Sequence, residues 1–132
     1  MTKTILMDKY PIFTLEIQKS ETSYKTTNEI IEYLKSLIDS HPVAKYIAIF
    51  DHFEHTSSMD DGVIADSIID AKNLVFCFGK LLPSTKILAV RPRSIGVSEL
   101  KNSFSIDFLE VPNPELQKVT QKWIQSIINI KD

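Results

Sequence analysis

Residues 73–111, NLVFCFGKLLPSTKILAVRPRSIGVSELKNSFSIDFLEV, hold four strand-like runs in succession: NLVFCFG (73–79), KILAV (86–90), IGVSEL (95–100) and FSIDFLEV (104–111). Each is short and rich in β-branched or aromatic residues, and punctuation falls at Gly79, Pro83-Ser84, Pro92 and Lys101-Asn102. The four runs read as an antiparallel meander. Working outward, the last element is amphipathic. Asn113 can cap it, Pro114 suits the first helical position, and Leu116, Val119, Trp123, Ile127 and Ile130 share one face. Upstream, Thr26 stands three residues before Glu29, the spacing of a capping box, and Ile30, Ile31, Leu34, Leu37 and Ile38 form the apolar stripe of a helix that ends before Pro42. IFTLEI (12–17) alternates like a strand with one dry face, whereas KYIAIF (45–50) is continuously apolar, as expected of a strand covered on both faces. DDGVIADSIIDA (60–71) is read as a short helix carrying Val63, Ile64, Ile68 and Ile69.

Two helices laid on one face of an antiparallel sheet bury both apolar stripes in a single core, so the expected fold class is α+β, an antiparallel sheet with an N-terminal and a long C-terminal helix. The other sheet face is then free for a ligand or a second copy. At 132 residues with 43% hydrophobic content, the chain is expected to form one domain over 1–132. A net charge of -2 and dispersed lysines argue against nucleic acid as a partner. The first residues carry no signal-peptide pattern and no run is long enough to span a membrane, so a cytoplasmic location is expected. The single cysteine, Cys77, cannot form an internal disulfide and reads as a core thiol.

The element order, the Asp51-His52 pair after the second strand and the Phe78-Gly79 pair closing the next resemble the bacterial family of domain of unknown function 302, over roughly residues 26–114. The resemblance implies a TBP-like β-α-β4-α fold. It implies no activity, because a fold hosts many functions.

The candidate site is DHFEH (51–55) followed by TSSMDD (56–61), which holds two of the three histidines. If the strand ran on through it, His52 and His55 would face opposite ways. If Asp51 caps a helical turn, the two imidazoles become neighbours at i and i+3 and could hold a divalent transition metal, with Glu54, Asp60 or Asp61 as a third ligand. The plainer alternative is a capped turn with a solvated loop. Arg91 and Arg93, the only arginines, flank Pro92; on an extended segment they face the same way and could converge on a carboxylate or phosphate, or else protect a sheet edge with charge. No nucleophile-elbow or phosphate-loop pattern occurs, so no catalytic residue is assigned. The expected function is a binding domain, dimeric through its sheet, with Asp51, His52, Arg91 and Arg93 as ligand-binding residues and His52, His55 and Glu54 as metal ligands. The alternative is a homodimeric interaction module with no small-molecule site.

Overall fold

The computed structural model describes residues 1–130. In chain order it runs β1 (Thr2–Leu6), β2 (Tyr10–Gln18), α1 (Thr27–Asp39), β3 (Ala44–Phe50), α2 (His52–Ser58), β4 (Asp70–Phe78), β5 (Arg93–Glu99), β6 (Ser103–Leu109) and α3 (Pro114–Gln125). The strands form one sheet in the order β1-β2-β6-β5-β4-β3, and every neighbouring pair is antiparallel. This is the expected α+β class.

Alternation along the strands decides what the helices cover. Ile17 of β2, Phe104 and Ile106 of β6, Ile95 and Val97 of β5, and Leu74, Phe76 and Phe78 of β4 point to one side and are buried. Against them pack Ile30, Ile31, Leu34 and Ile38 of α1 and Trp123 and Ile124 of α3, in a single cluster. Full burial of such a side chain contributes roughly 1.5–3 kcal/mol. Both helices are started by the residues expected to do so. The Thr26 hydroxyl accepts from the Glu29 amide (3.1 Å), and the Asn113 side chain accepts from the amides of Glu115 (2.9 Å) and Leu116 (3.2 Å).

The other face of the sheet carries a row of paired residues crossing all six strands: Thr2, Thr14, Asp107, Gly96, Asn73 and Phe50. α2 and the loop after it fold over this face only where β4 begins, at Ala71. At the other end of β4 the loop that follows it, with Leu88, stands beside Cys77 and Ile47; among the described residues no other element covers the rest of the face.

Six expectations change. KYIAIF is not covered on both faces: β3 is an edge strand whose residues are exposed except for the half-buried Ala44 and Tyr46. Cys77 is not in the core: alternation turns it away from Phe76 and Phe78, and it is half-buried on the opposite face. KILAV is not a strand: Thr85–Ala89 form a 3-10 turn, because β4 and β5 pair directly with each other and the sheet's two edges are β1 and β3. The missing strand is β1, joined to β2 by a turn in which Met7 (φ 54°) and Asp8 (φ 59°) both adopt left-handed backbone. Residues 60–71 are not helical. Gly62 is folded so tightly onto the end of α2 that a Cβ there would lie 2.0 Å from the Thr56 carbonyl oxygen, and the Ile69 amide already bonds Glu99 as the chain approaches β5. Finally, α3 ends at Gln125 and Ile130 is exposed, because the amides of Asn129 and Ile130 turn to the Glu21 carbonyl.

Candidate functional site

Asp51 does cap a helical turn. Its carboxylate accepts from the Glu54 amide at 3.0 Å, which engages it in starting α2 and makes His52 and His55 neighbours on one helix face. The two imidazole rings lie 6.0 Å apart, and Phe50 packs against both, at 5.2 and 5.1 Å. His52 Nδ1 lies 3.1 Å from Asn73 Oδ1, while Asn73 Nδ2 donates to Ser94 Oγ at 2.9 Å. With the Asn73 amide in this orientation Oδ1 is the acceptor, which matches the His52 tautomer that donates from Nδ1. Glu54, Asp60 and Asp61 do not join them: among the described residues no three His, Cys, Asp or Glu side chains converge as metal ligands.

Arg91 and Arg93 have different tasks. Arg91 lies over Gly79, whose φ of 98° only glycine adopts easily; a Cβ there would come within 2.8 Å of Arg91 Nη2. Its Nη1 donates to the Leu81 carbonyl at 2.6 Å, which anchors the loop between β4 and β5. Arg93 points into the helical layer and is 9% exposed. Its guanidinium donates to the carbonyls of Val90 (3.2 Å), Leu109 (2.6 Å) and Glu110 (3.1 Å), tying the start of β5 to the end of β6. No carboxylate among the described residues lies within ion-pair distance of it. Burial accordingly pulls the guanidinium below the usual arginine value, although it stays protonated.

Both arginines line a cavity of about 320 Å³ whose other walls include Phe78, Ile87, Val90, Val111 and Leu116. Arg93 Nε takes no part in the carbonyl bonds, which are made by Nη1 and Nη2. The N-terminus of α3 borders the same cavity through Asn113. It adds positive potential but few donors, since Pro114 has no amide hydrogen and Asn113 occupies the next two.

The four ligand-binding residues expected from the sequence therefore do not form one cleft. Asp51 and His52 lie where β4 begins, with His52 bonded to the open face through Asn73; Arg93 lies beneath the opposite face where β4 ends. From Asn73 to Phe78 the strand advances about 17 Å. What the sequence did not reveal is the apolar wall of the cavity. It is assembled from Phe78 of β4, Ile87 and Val90 of the loop before β5, Val111 just after β6 and Leu116 of α3, residues distant in the chain.

A second ionic cluster is structural. Lys72 Nζ meets Asp70 at 2.5 Å and the Thr27 hydroxyl donates to the same carboxylate at 2.6 Å, fastening the first turn of α1 to β4. Burial pushes the Asp70 carboxyl up, but the bonds from Lys72 and Thr27 outweigh it and hold the group below its ordinary value. Among the described residues no helix is long and apolar enough to cross a membrane.

The fold is similar to that of a crystal structure of an "uncharacterized conserved protein DUF302 from Bacillus stearothermophilus", with a TM-score of 0.56, 14% identity, and coverage of 89% of this chain and 94% of that one. The resemblance expected from the Asp51-His52 and Phe78-Gly79 pairs is thus borne out, and at this identity it concerns the fold alone. No curated protein matches the chain. A family profile described as a family of unknown function, DUF6858, matches residues 1–129, nearly the whole sequence, and it is to this family that the chain belongs.

Proposed function

We infer that this protein is a binding domain for a small organic anion, a carboxylate on an apolar body, held in the cavity beside Arg93. The observation that carries the reading is a buried cation on an apolar wall with no acidic partner among the described residues. Burying an unpaired charge is costly, and a ligand carboxylate that accepts from Nε would offset that cost. The volume suits a compact ligand: cavities of about 150 Å³ admit benzene, so this one has room for about ten non-hydrogen atoms. Phe78, Val111 and Leu116 would contact the apolar part.

The test is a thermal-shift series with 3-phenylpropanoate and its neutral amide, on the wild type and on Leu116→Trp, which fills the cavity and leaves Arg93 in place. A ligand at ten times its Kd adds about 1.4 kcal/mol, or roughly 4–5 °C for a chain of this size. The carboxylate is expected to give such a rise in the wild type only, and the amide little. Equal effects of acid and amide, or an undiminished effect in Leu116→Trp, would remove the site.

A second reading concerns the His52–His55 pair. An imidazole oriented through Nδ1 by a hydrogen bond is the usual state of a metal-bound histidine, and a neighbouring imidazole can share the ion. With two ligands, affinity for nickel or zinc would be modest. An ion-dependent stabilisation that disappears in His55→Ala supports it, and identical responses of the two proteins oppose it.

A further inference from the structure

The uncovered sheet face is uneven in a way that fits a second copy of the same chain. α2 stands up from it over the start of β4, and the 3-10 turn carrying Leu88 stands beside Cys77 and Ile47 at the other end of β4 and β3. Both projections are on the β3–β4 side. Among the described residues no element covers the β1–β2 side, which exposes Leu6 (52%) and Tyr10 (47%). The imidazoles of His52 and His55, hydrogen-bonding groups on a helix that also carries Asp51 and Glu54, belong to the β3–β4 side, and the carboxylates of Glu16 and Asp107 to the β2–β6 side. The Asp107 carboxylate is held by hydroxyl donors from Thr14 (2.5 Å) and Ser105 (2.9 Å) and by no cation among the described residues.

Gly96 lies at the middle of the face, in the row between Asn73 and Asp107. A glycine inside a strand commonly marks close approach by a ligand or another backbone. Nothing in this chain makes that approach: a Cβ at Gly96 would meet only the Asp107 carbonyl oxygen at 3.5 Å and Asn73 Nδ2 at 3.9 Å, ordinary contacts.

We propose that two copies pack sheet on sheet through this face, about a two-fold axis that runs parallel to the strands between β5 and β6. That axis lays β3 over β1, β4 over β2 and β5 over β6 of the second copy, so each copy's two projections seat on the other's bare side. Leu88 comes over Leu6 and Tyr10, and the imidazoles of α2 come over Glu16. A two-fold axis across the strands would instead lay β3–β4 on β3–β4, projection against projection and imidazole away from carboxylate. Six strands about 4.8 Å apart and five uncovered residues of about 3.3 Å each give roughly 400 Å² of flat area per copy; with the projections this approaches the lower range of specific interfaces. The ligand cavity lies under the opposite face, so the two proposals stand independently.

Sedimentation velocity at 100 μM tests the face, and crosslinking tests the axis. Wild type is expected at twice 15.1 kDa. Gly96→Lys adds a charged chain to the middle of the face without an internal clash, and is expected to run as a monomer with an unchanged circular dichroism spectrum. Cys77 and position 10 of the second copy face each other under the proposed axis; sheets stack about 10 Å apart, too far for a disulfide but within reach of a short bismaleimide. Tyr10→Cys should therefore give a covalent dimer that wild type does not. A monomeric wild type, a dimeric Gly96→Lys, or a Tyr10→Cys protein that crosslinks no better than wild type overturns the proposal.

Discussion

Replacing Arg93 with methionine keeps most of the side-chain volume and removes three hydrogen bonds, two that join β5 to the end of β6 and one to the Val90 carbonyl just before β5. Each is charge-assisted, and such bonds contribute about 1.5–3 kcal/mol. Against that stands the desolvation of a cation with no acidic partner among the described residues, the same burial that lowers its pKa. The carbonyls of Leu109 and Glu110 lie near an accessible cavity, so water can take over part of what the guanidinium supplies. The balance is a destabilisation of roughly 2–3 kcal/mol, which corresponds to about 8–10 °C in Tm for a chain of this size. Urea denaturation followed by far-ultraviolet circular dichroism measures it, with an unchanged slope showing that the same surface is exposed on unfolding. Arg93→Lys, which retains charge without the planar fork, should fall between the two. A methionine variant as stable as the wild type, or more stable, would refute the reasoning, since the carbonyl bonds would then be no more than compensation for a buried charge.

Asn113→Ala leaves the amides of Glu115 and Leu116 uncapped and should cost about 1 kcal/mol, read as a lower urea midpoint. Ligand-free Tm should fall with it by about 3–4 °C. Asp70 supplies a pH dependence. Its folded pKa lies below its unfolded one, so its contribution is fully present above the unfolded value of about 4 and is lost as pH falls through the folded value. Asp70→Asn should accordingly be less stable than wild type at pH 6, with the difference shrinking below about pH 4. A difference that is constant with pH would show that the Lys72 and Thr27 contacts do not act through the carboxylate's charge.

The parts of the fold legible in the sequence are those set by local chemistry. Thr26 and Asn113-Pro114 mark helix starts because a side-chain oxygen answers amides two or three residues on, and the alternation of IFTLEI and FSIDFL survives because it matches the pleat. The parts that were not legible depend on partners far along the chain. KILAV has strand composition, but the strands it connects, β4 and β5, already pair with each other, whereas Thr2–Leu6 looks unremarkable and becomes a strand because β2 offers it an edge. The turn between β1 and β2 is closed by Met7 and Asp8 rather than the Asn-Gly that normally announces it. DHFEH was readable as a capped turn. Arg93 was readable only as a charge near a proline; its carbonyl acceptors, 16 and 17 residues away, come from the end of the next strand.

Trp123, the only tryptophan, stacks on Phe78 with ring centroids 5.4 Å apart, and Phe78 forms one wall of the cavity. Its fluorescence therefore reads the cavity directly. The decisive measurement is a titration of the wild-type protein with 3-phenylpropanoate, followed at this tryptophan and paired with the neutral amide. A saturable change for the carboxylate at one equivalent, at least tenfold weaker for the amide, is the outcome expected if Arg93 waits for an anion. No saturable change, or the same curve for both compounds, would contradict it and leave Arg93 as a strut between two strands.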